Sequence, residues 1–184
     1  ILSAIVKHSV AEPVTVGPEG LEGDAQADLT VHGGPDKAVC CYPVEHLPGL
    51  AERIGRELMP GAFGENLSVR GVTEDVVHIG DVFEVGTATV QVSQPRGPCF
   101  KLAARWGHKQ LPAILARECI SGYYLRVLEP GVVGAGDELL LTERRSGVSV
   151  ADVMRVTYTD RRDSDAIRAV GRQRRRLCAA RTGL

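Results

Sequence analysis

Aromatic residues are scarce, 4% of 184 positions, with one Trp, three Phe and four Tyr. Base-stacking RNA modules and carbohydrate platforms need several rings on one face, so both classes are disfavoured. No window approaches the roughly 18 to 20 consecutive apolar residues of a membrane helix, which predicts a soluble protein. The opening Ile1-Leu2-Ser3-Ala4-Ile5-Val6-Lys7 lacks a basic n-region and a long apolar core, so it does not read as a signal peptide. Lysine is also rare: the four are Lys7, Lys37, Lys101 and Lys109, none in a Schiff-base motif, which weighs against pyridoxal phosphate chemistry. Nucleotide and zinc-protease signatures are missing. Gly131-Val132-Val133-Gly134-Ala135-Gly136 has the dinucleotide glycine spacing reversed, and no His-Glu-x-x-His occurs. The five cysteines, at 40, 41, 99, 119 and 178, form neither paired C-x-x-C ligands nor an even disulfide framework. A reducing, cytoplasmic compartment is the expectation.

What is present suffices for a core, since 43% of residues are hydrophobic. Charge is uneven. Residues 150 to 184 hold nine Arg against four Asp, a net of +5, so the first 149 residues carry −6 to give the overall −1. The acidic body reads mainly as β. Thr87 to Ser93 alternates, with Ala88, Val90 and Val92 on one face, bounded by Gly86 and Pro95. Short strands also fit Leu29 to His32, Ala38 to Tyr42, Asn66 to Val69 and Tyr123 to Leu128. The segments Val76 to Val85 and Val132 to Leu141 each show an apolar pair, a Gly-Asp turn and a strand, and shared hairpin chemistry explains them better than an internal repeat. Helical spacing marks Leu50 to Leu58, Phe100 to Trp106 and Leu111 to Arg117. Many short strands with few long helices predict a mainly β, barrel-like domain over residues 1–145. A small helical appendage follows over 146–184, its helices capped by Ser149 and Ser164.

Two stretches carry candidate chemistry. In Asp28 to Val39, a strand delivers His32 into Gly33-Gly34-Pro35, where bare backbone N–H groups and Lys37 suit an anion; a plain tight hairpin would use the same residues. In Val92 to Leu102, Pro95, Gly97 and Pro98 fix a turn that puts Cys99 at the start of a helix between Arg96 and Lys101. A helix start and flanking cations favour a thiolate, hence a nucleophile or a soft metal ligand; the alternative is an inert buried cysteine. Gly64-Glu65-Asn66-Leu67 holds the only Asn in the chain and either aims a carboxylate and an amide into one pocket or opens a strand.

Taken in order, these residues resemble the MOSC domain, the module named after the C-terminal part of molybdenum-cofactor sulfurases, and most closely its stand-alone YiiM-type branch. The likeness is carried by Gly20-Leu21-Glu22-Gly23-Asp24, Asp28-Leu29, His32 to Val39, Tyr42-Pro43 and Glu45-His46. It continues through Phe63 to Leu67, Ile79-Gly80-Asp81, Gln94-Pro95-Arg96, Pro98 to Leu102, Gly122 to Leu128 and Gly136-Asp137. The resemblance implies a MOSC β-barrel with a C-terminal helical domain. It also implies a pterin-based molybdenum cofactor whose metal takes Cys99 as thiolate ligand, and reduction of N-hydroxylated compounds such as hydroxylamino purines. His32, Gly33, Gly34, Lys37, Asn66, Arg96, Lys101 and Arg126 become candidate cofactor contacts, and His32 and Glu65 rival proton donors.

Electrons must then come from an external electron-transfer protein, because the chain is too short for a flavin or haem domain. A cofactor or sulfur carrier using the same cysteine, without reduction, is the second reading. Nucleic-acid binding by Arg172, Arg174, Arg175 and Arg176 is disfavoured by the sequence pI of about 6.6; a solvated helix end explains the run better, and steering of an acidic redox partner is the other use open to it. The sequence leaves the oligomeric state open.

Overall fold

The structure is a computed structural model that describes residues 5–24 and 33–181, with side chains as far as Arg172. A curled, half-barrel sheet of six strands forms its centre. In chain order the strands are β1 (Val14–Gly17), β2 (Gly20–Leu21), β3 (Val39–Pro43), β4 (Leu67–Val69), β5 (Val82–Val85), β6 (Ala88–Pro95), β7 (Tyr123–Glu129), β8 (Gly131–Val133) and β9 (Leu140–Glu143). The large sheet runs β4-β3-β7-β6-β5-β9, antiparallel except for β3 with β4, and a smaller sheet runs β2-β1-β8. Helices are α1 (Leu47–Ile54), α2 (Phe100–Trp106), α3 (Leu111–Glu118), α4 (Val150–Met154) and α5 (Ser164–Arg181). The β core matches the expected class, although α5, at 18 residues, adds one long helix to it.

Two hydrophobic clusters flank β3, which explains why all five of its residues are buried. Side chains alternate across a strand. Val39 and Cys41 enter the barrel core with Val90, Val92 and Leu125, while Tyr42 faces the opposite cluster, stacked on Phe63 at 4.3 Å among Leu50, Leu102, Leu111 and Leu115. α1 begins earlier than its apolar spacing suggests, with Pro48 in its first turn, and stops at Ile54 because Gly55 takes a left-handed φ of 68° and caps it. Leu29 to His32 lies outside the described residues. The Gly-Asp segments are not copies of each other: β8 joins the small sheet, while Val76 and Val77 precede β5 in a turn.

The C-terminal segment begins inside the barrel core. Ser149 closes a capping box with Asp152, and Val150, Ala151 and Met154 pack into the main cluster. Main-chain bonds from Val150 to Val77 and from Ala151 to Glu74 tie α4 to the body. The helix then widens into a π turn over Arg155–Thr159, which packs on α3. At α5 the cap is Asp163 rather than Ser164: the Asp163 Oδ1 accepts from the N–H groups of Asp165 and Ala166.

Candidate functional site

β6 carries the chain out of the sheet at Pro95, and Arg96-Gly97-Pro98-Cys99 turns it into α2. Cys99 is extended, with φ −94° and ψ 131°, and its carbonyl accepts the Leu102 N–H. The two prolines set the turn, so the thiol stands at the helix start whatever its neighbours do. Cys99 is half-buried against the Tyr42 cluster, whereas Cys40, Cys41 and Cys119 are buried. Burial pushes the thiols of those three up from the usual cysteine value.

Arg96 is only 6% exposed. Its backbone is held at both ends: the N–H donates to Gly122 O at 2.9 Å, and the carbonyl accepts from Ser121 Oγ at 2.7 Å. One guanidinium nitrogen, Nη2, donates to Phe63 O at 2.6 Å, while Nη1 is buried with no partner at hydrogen-bond geometry. Burial works against the cation, but Cys40, Tyr124, Glu65 and Tyr42 around it outweigh burial and raise its proton affinity. A buried, charged and incompletely paired guanidinium is an anion receptor in the making.

Tyr124 meets this group from β7. Pairing of β3, β7 and β6 sets Cys40, Tyr124 and Gln94 in one row across the sheet, on one face. Its phenol is pushed up to about 12, mainly by burial and next by Cys40, with Cys99 also raising it and the Arg96 charge and hydrogen bond opposing. Tyr42 and Tyr123 are raised as well, again chiefly by burial. A raised folded-state value contributes stability that is complete below the ordinary tyrosine value near 10 and is lost as pH climbs towards 12. Denaturant titrations are therefore expected to show unfolding free energy falling by about 1 kcal/mol per such tyrosine between pH 9 and 11. A flat profile there would remove the buried-phenol description.

The remaining candidates divide. Gly34, at φ 96°, opens the 3-10 turn Pro35–Lys37, whose Asp36 carbonyl accepts from Ser93 Oγ at 2.5 Å, so this turn lies over β6 and β7. Arg126 holds the turn down: its Nε pairs with Asp36 Oδ1 at 3.0 Å and its Nη1 donates to Gln91 Oε1 at 3.1 Å. Those partners make it a clamp on the turn. Gly33 adjoins the turn, Lys37 ends it, and His32 lies outside the described residues. Lys101 is half-buried on α2, without an ion pair among the described residues.

Glu65 organises the loop around it. Only 3% exposed, it accepts from Gly61 N at 2.6 Å, Phe63 N at 3.0 Å and Ser68 Oγ at 2.8 Å. Three donors leave it little capacity for a ligand. Asn66 is likewise structural: Oδ1 accepts from Cys40 N at 2.9 Å and Nδ2 donates to Asp24 Oδ2 at 2.6 Å. Glu65 and Asn66 also line a cavity of about 430 Å³ beside Lys7 and His8, which does not reach Cys99. Tyr124 was missed as a candidate from sequence; alternation along β7 places it on the Cys40 face once the strand pairing is known.

A sequence profile described as MOSC domain matches residues 28–140. The chain belongs to the MOSC family. This MOSC chain is 47% identical over 171 residues to YflK of Bacillus subtilis (strain 168), covering 92% of the chain and 77% of YflK. The crystal structure of YiiM from Geobacillus stearothermophilus shares the MOSC fold at a TM-score of 0.80 and 42% identity, covering 90% of this chain and 79% of that one. A protein named reductase from Gibberella moniliformis (strain M3125 / FGSC 7600) is 35% identical over 148 residues, 78% of this chain but 26% of its own length. Among the described residues, no helix is long and apolar enough to cross a membrane.

Proposed function

We propose that this MOSC protein is an oxidoreductase that reduces N-hydroxylated compounds, hydroxylamino purines among them, with a molybdenum cofactor whose metal takes the Cys99 thiolate. The observation that carries this is the cysteine turn, which presents a half-buried thiol and, three residues before it, a buried cation. Cys99 alone of the four described cysteines is not buried, and three residues before it Arg96 keeps Nη1 unpartnered. The donor set suits such a group. Among the described residues no three His, Cys, Asp or Glu side chains gather around one point, so what these residues offer a metal at this turn is the Cys99 thiol. A soft thiolate and a receptor for an anionic moiety are what the turn offers such a group. The reductase name of one relative supports the reaction class.

When bound, the cofactor supplies two-electron redox chemistry at a soft metal. The reaction takes an N–OH group, two electrons and two protons to N–H and water. The chain's own residues would bind and orient: Cys99 would hold the metal, Arg96 would offset anionic charge, and Tyr124, raised to about 12 by burial and then by Cys40, keeps a protonated phenol on the Cys40 face at neutral pH. His32, outside the described residues, stays the proposed proton donor, since imidazole is the commonest general acid–base group. An external electron-transfer protein provides the electrons, steered by the basic C-terminal segment, so turnover with that partner falls as salt rises.

The test is the molybdenum and pterin content of protein made with molybdenum supplied, followed by multi-turnover reduction of an N-hydroxylated compound with an electron donor. Near-stoichiometric molybdenum with turnover is the expected result. Stoichiometric molybdenum without turnover would turn the proposal into a cofactor carrier, and absence of both would end it.

A further inference from the structure

The C-terminal segment brings one more group to the cysteine turn. Over Arg155–Thr159 the helix is a π turn, closed by the Asp160 N–H donating to Arg155 O at 2.7 Å. Such widened turns are uncommon, concentrate at functional sites and shift every later side chain around the helix by part of a turn. Here the shift delivers Tyr158 to Gly97: a methyl group on that glycine would stand 3.3 Å from the Tyr158 hydroxyl. Gly97 lies between Arg96 and Pro98, two residues before Cys99, a span of about 7 Å at most. The Tyr158 ring is 37% exposed, and its hydroxyl has no hydrogen-bond partner among the described residues.

Three features belong to this turn or lie against it. Arg96 Nη1 is buried and unpartnered, the Tyr158 hydroxyl is unpartnered at the rim, and the Phe100 ring beside Cys99 is 74% exposed. An isolated cysteine or tyrosine would mean little, but a buried orphan donor is costly unless a ligand completes it.

We propose that Tyr158 is a substrate-contacting residue of the Cys99 site: its ring forms a wall of the pocket, and its hydroxyl donates to the oxygen of the N-hydroxy group. This rests on the reductase reading above. It gives the C-terminal segment a share in specificity, beyond any part in partner docking.

Two experiments test it, both on the full chain. The first needs no cofactor: metal-free protein in a Cys178→Ser background is alkylated with iodoacetamide and with a bulky maleimide. Tyr158→Ala is expected to speed maleimide labelling of Cys99 severalfold while iodoacetamide labelling changes less than twofold, and Tyr158→Phe is expected to match the parent. Equal maleimide rates in all three would overturn the wall. In the second, with cofactor-loaded protein, Tyr158→Phe is expected to raise KM three- to tenfold, kcat staying within twofold and Tm within a few degrees, as for loss of one neutral hydrogen bond (about 0.5–1.5 kcal/mol). An unchanged KM, or a loss that merely follows Tm, would overturn the contact. A parent chain that reduces no N-hydroxylated compound would instead refute the reductase reading, while the labelling result would still decide whether Tyr158 walls Cys99.

Discussion

Cys99→Ala is expected to abolish molybdenum retention and N-reduction while leaving the fold nearly intact. Under the proposed function the metal loses its one protein thiolate, and nothing nearby replaces it: Cys40 and Cys41 are buried, with thiols pushed up by burial. The fold survives because Cys99 is only half-buried at a turn already stiffened by Pro95 and Pro98, so the stability cost is about 1 kcal/mol or less. Arg96 keeps its bonds to Phe63, Gly122 and Ser121 and would hold at most an anionic fragment. Cys119→Ala is the control with the opposite signature. Cys119 caps α3 in a left-handed conformation, with φ 58°, and packs in the barrel core, so its loss is expected to cost on the order of 1 kcal/mol with molybdenum unchanged. Metal analysis and thermal melts on the two variants check this. Metal kept by Cys99→Ala, or lost by Cys119→Ala, would move the site elsewhere.

Local signals in the chain were enough to place Cys99, and its distant supports were not. Pro95, Pro98 and the apolar spacing of Phe100 to Trp106 are contiguous, so α2 and the cysteine at its start could be read directly, as could the Ser149 cap. α1 was displaced because the helical spacing runs on past Gly55, where the left-handed cap ends it. Side-chain function was harder to read than position. A Glu beside an Asn at a strand start looks the same whether the carboxylate faces a pocket or collects its own backbone N–H groups, as Glu65 does. The clamp made by Arg126 is hidden for the same reason, since its partners Asp36 and Gln91 come from a different turn and a different strand. Tyr158 and Gly97 meet only because a π turn in one segment faces a glycine in another, a pairing that no local pattern encodes.

The other large effect is expected at Glu74, a residue no motif singled out. It is 2% exposed, and each of its oxygens has a task. Oε2 pairs with His46 Nε2 at 2.7 Å, Oε1 accepts the Gly122 N–H at 2.7 Å, and the main-chain carbonyl accepts the Ala151 N–H at 2.8 Å. Gly122 in turn accepts the Arg96 N–H, so Glu74 stands one peptide away from the turn that presents Cys99. The glycine is required there: φ is 83°, and a Cβ would lie 2.4 Å from the Cys41 carbonyl, so the chain has no alternative way to aim this N–H. Glu74→Ala strands the buried Gly122 donor and leaves the half-buried His46 without its partner. The expected cost is about 3 kcal/mol, or a Tm lower by roughly 6 to 12 °C. Glu74→Gln keeps an oxygen for Gly122 and a donor for a His46 tautomer that accepts, and should lose only about 1 kcal/mol. Urea unfolding of the two variants measures the difference. If Glu74→Ala stays within 1 kcal/mol of the parent, or Glu74→Gln is no better than Ala, the carboxylate is not what anchors β7 beneath the cysteine turn.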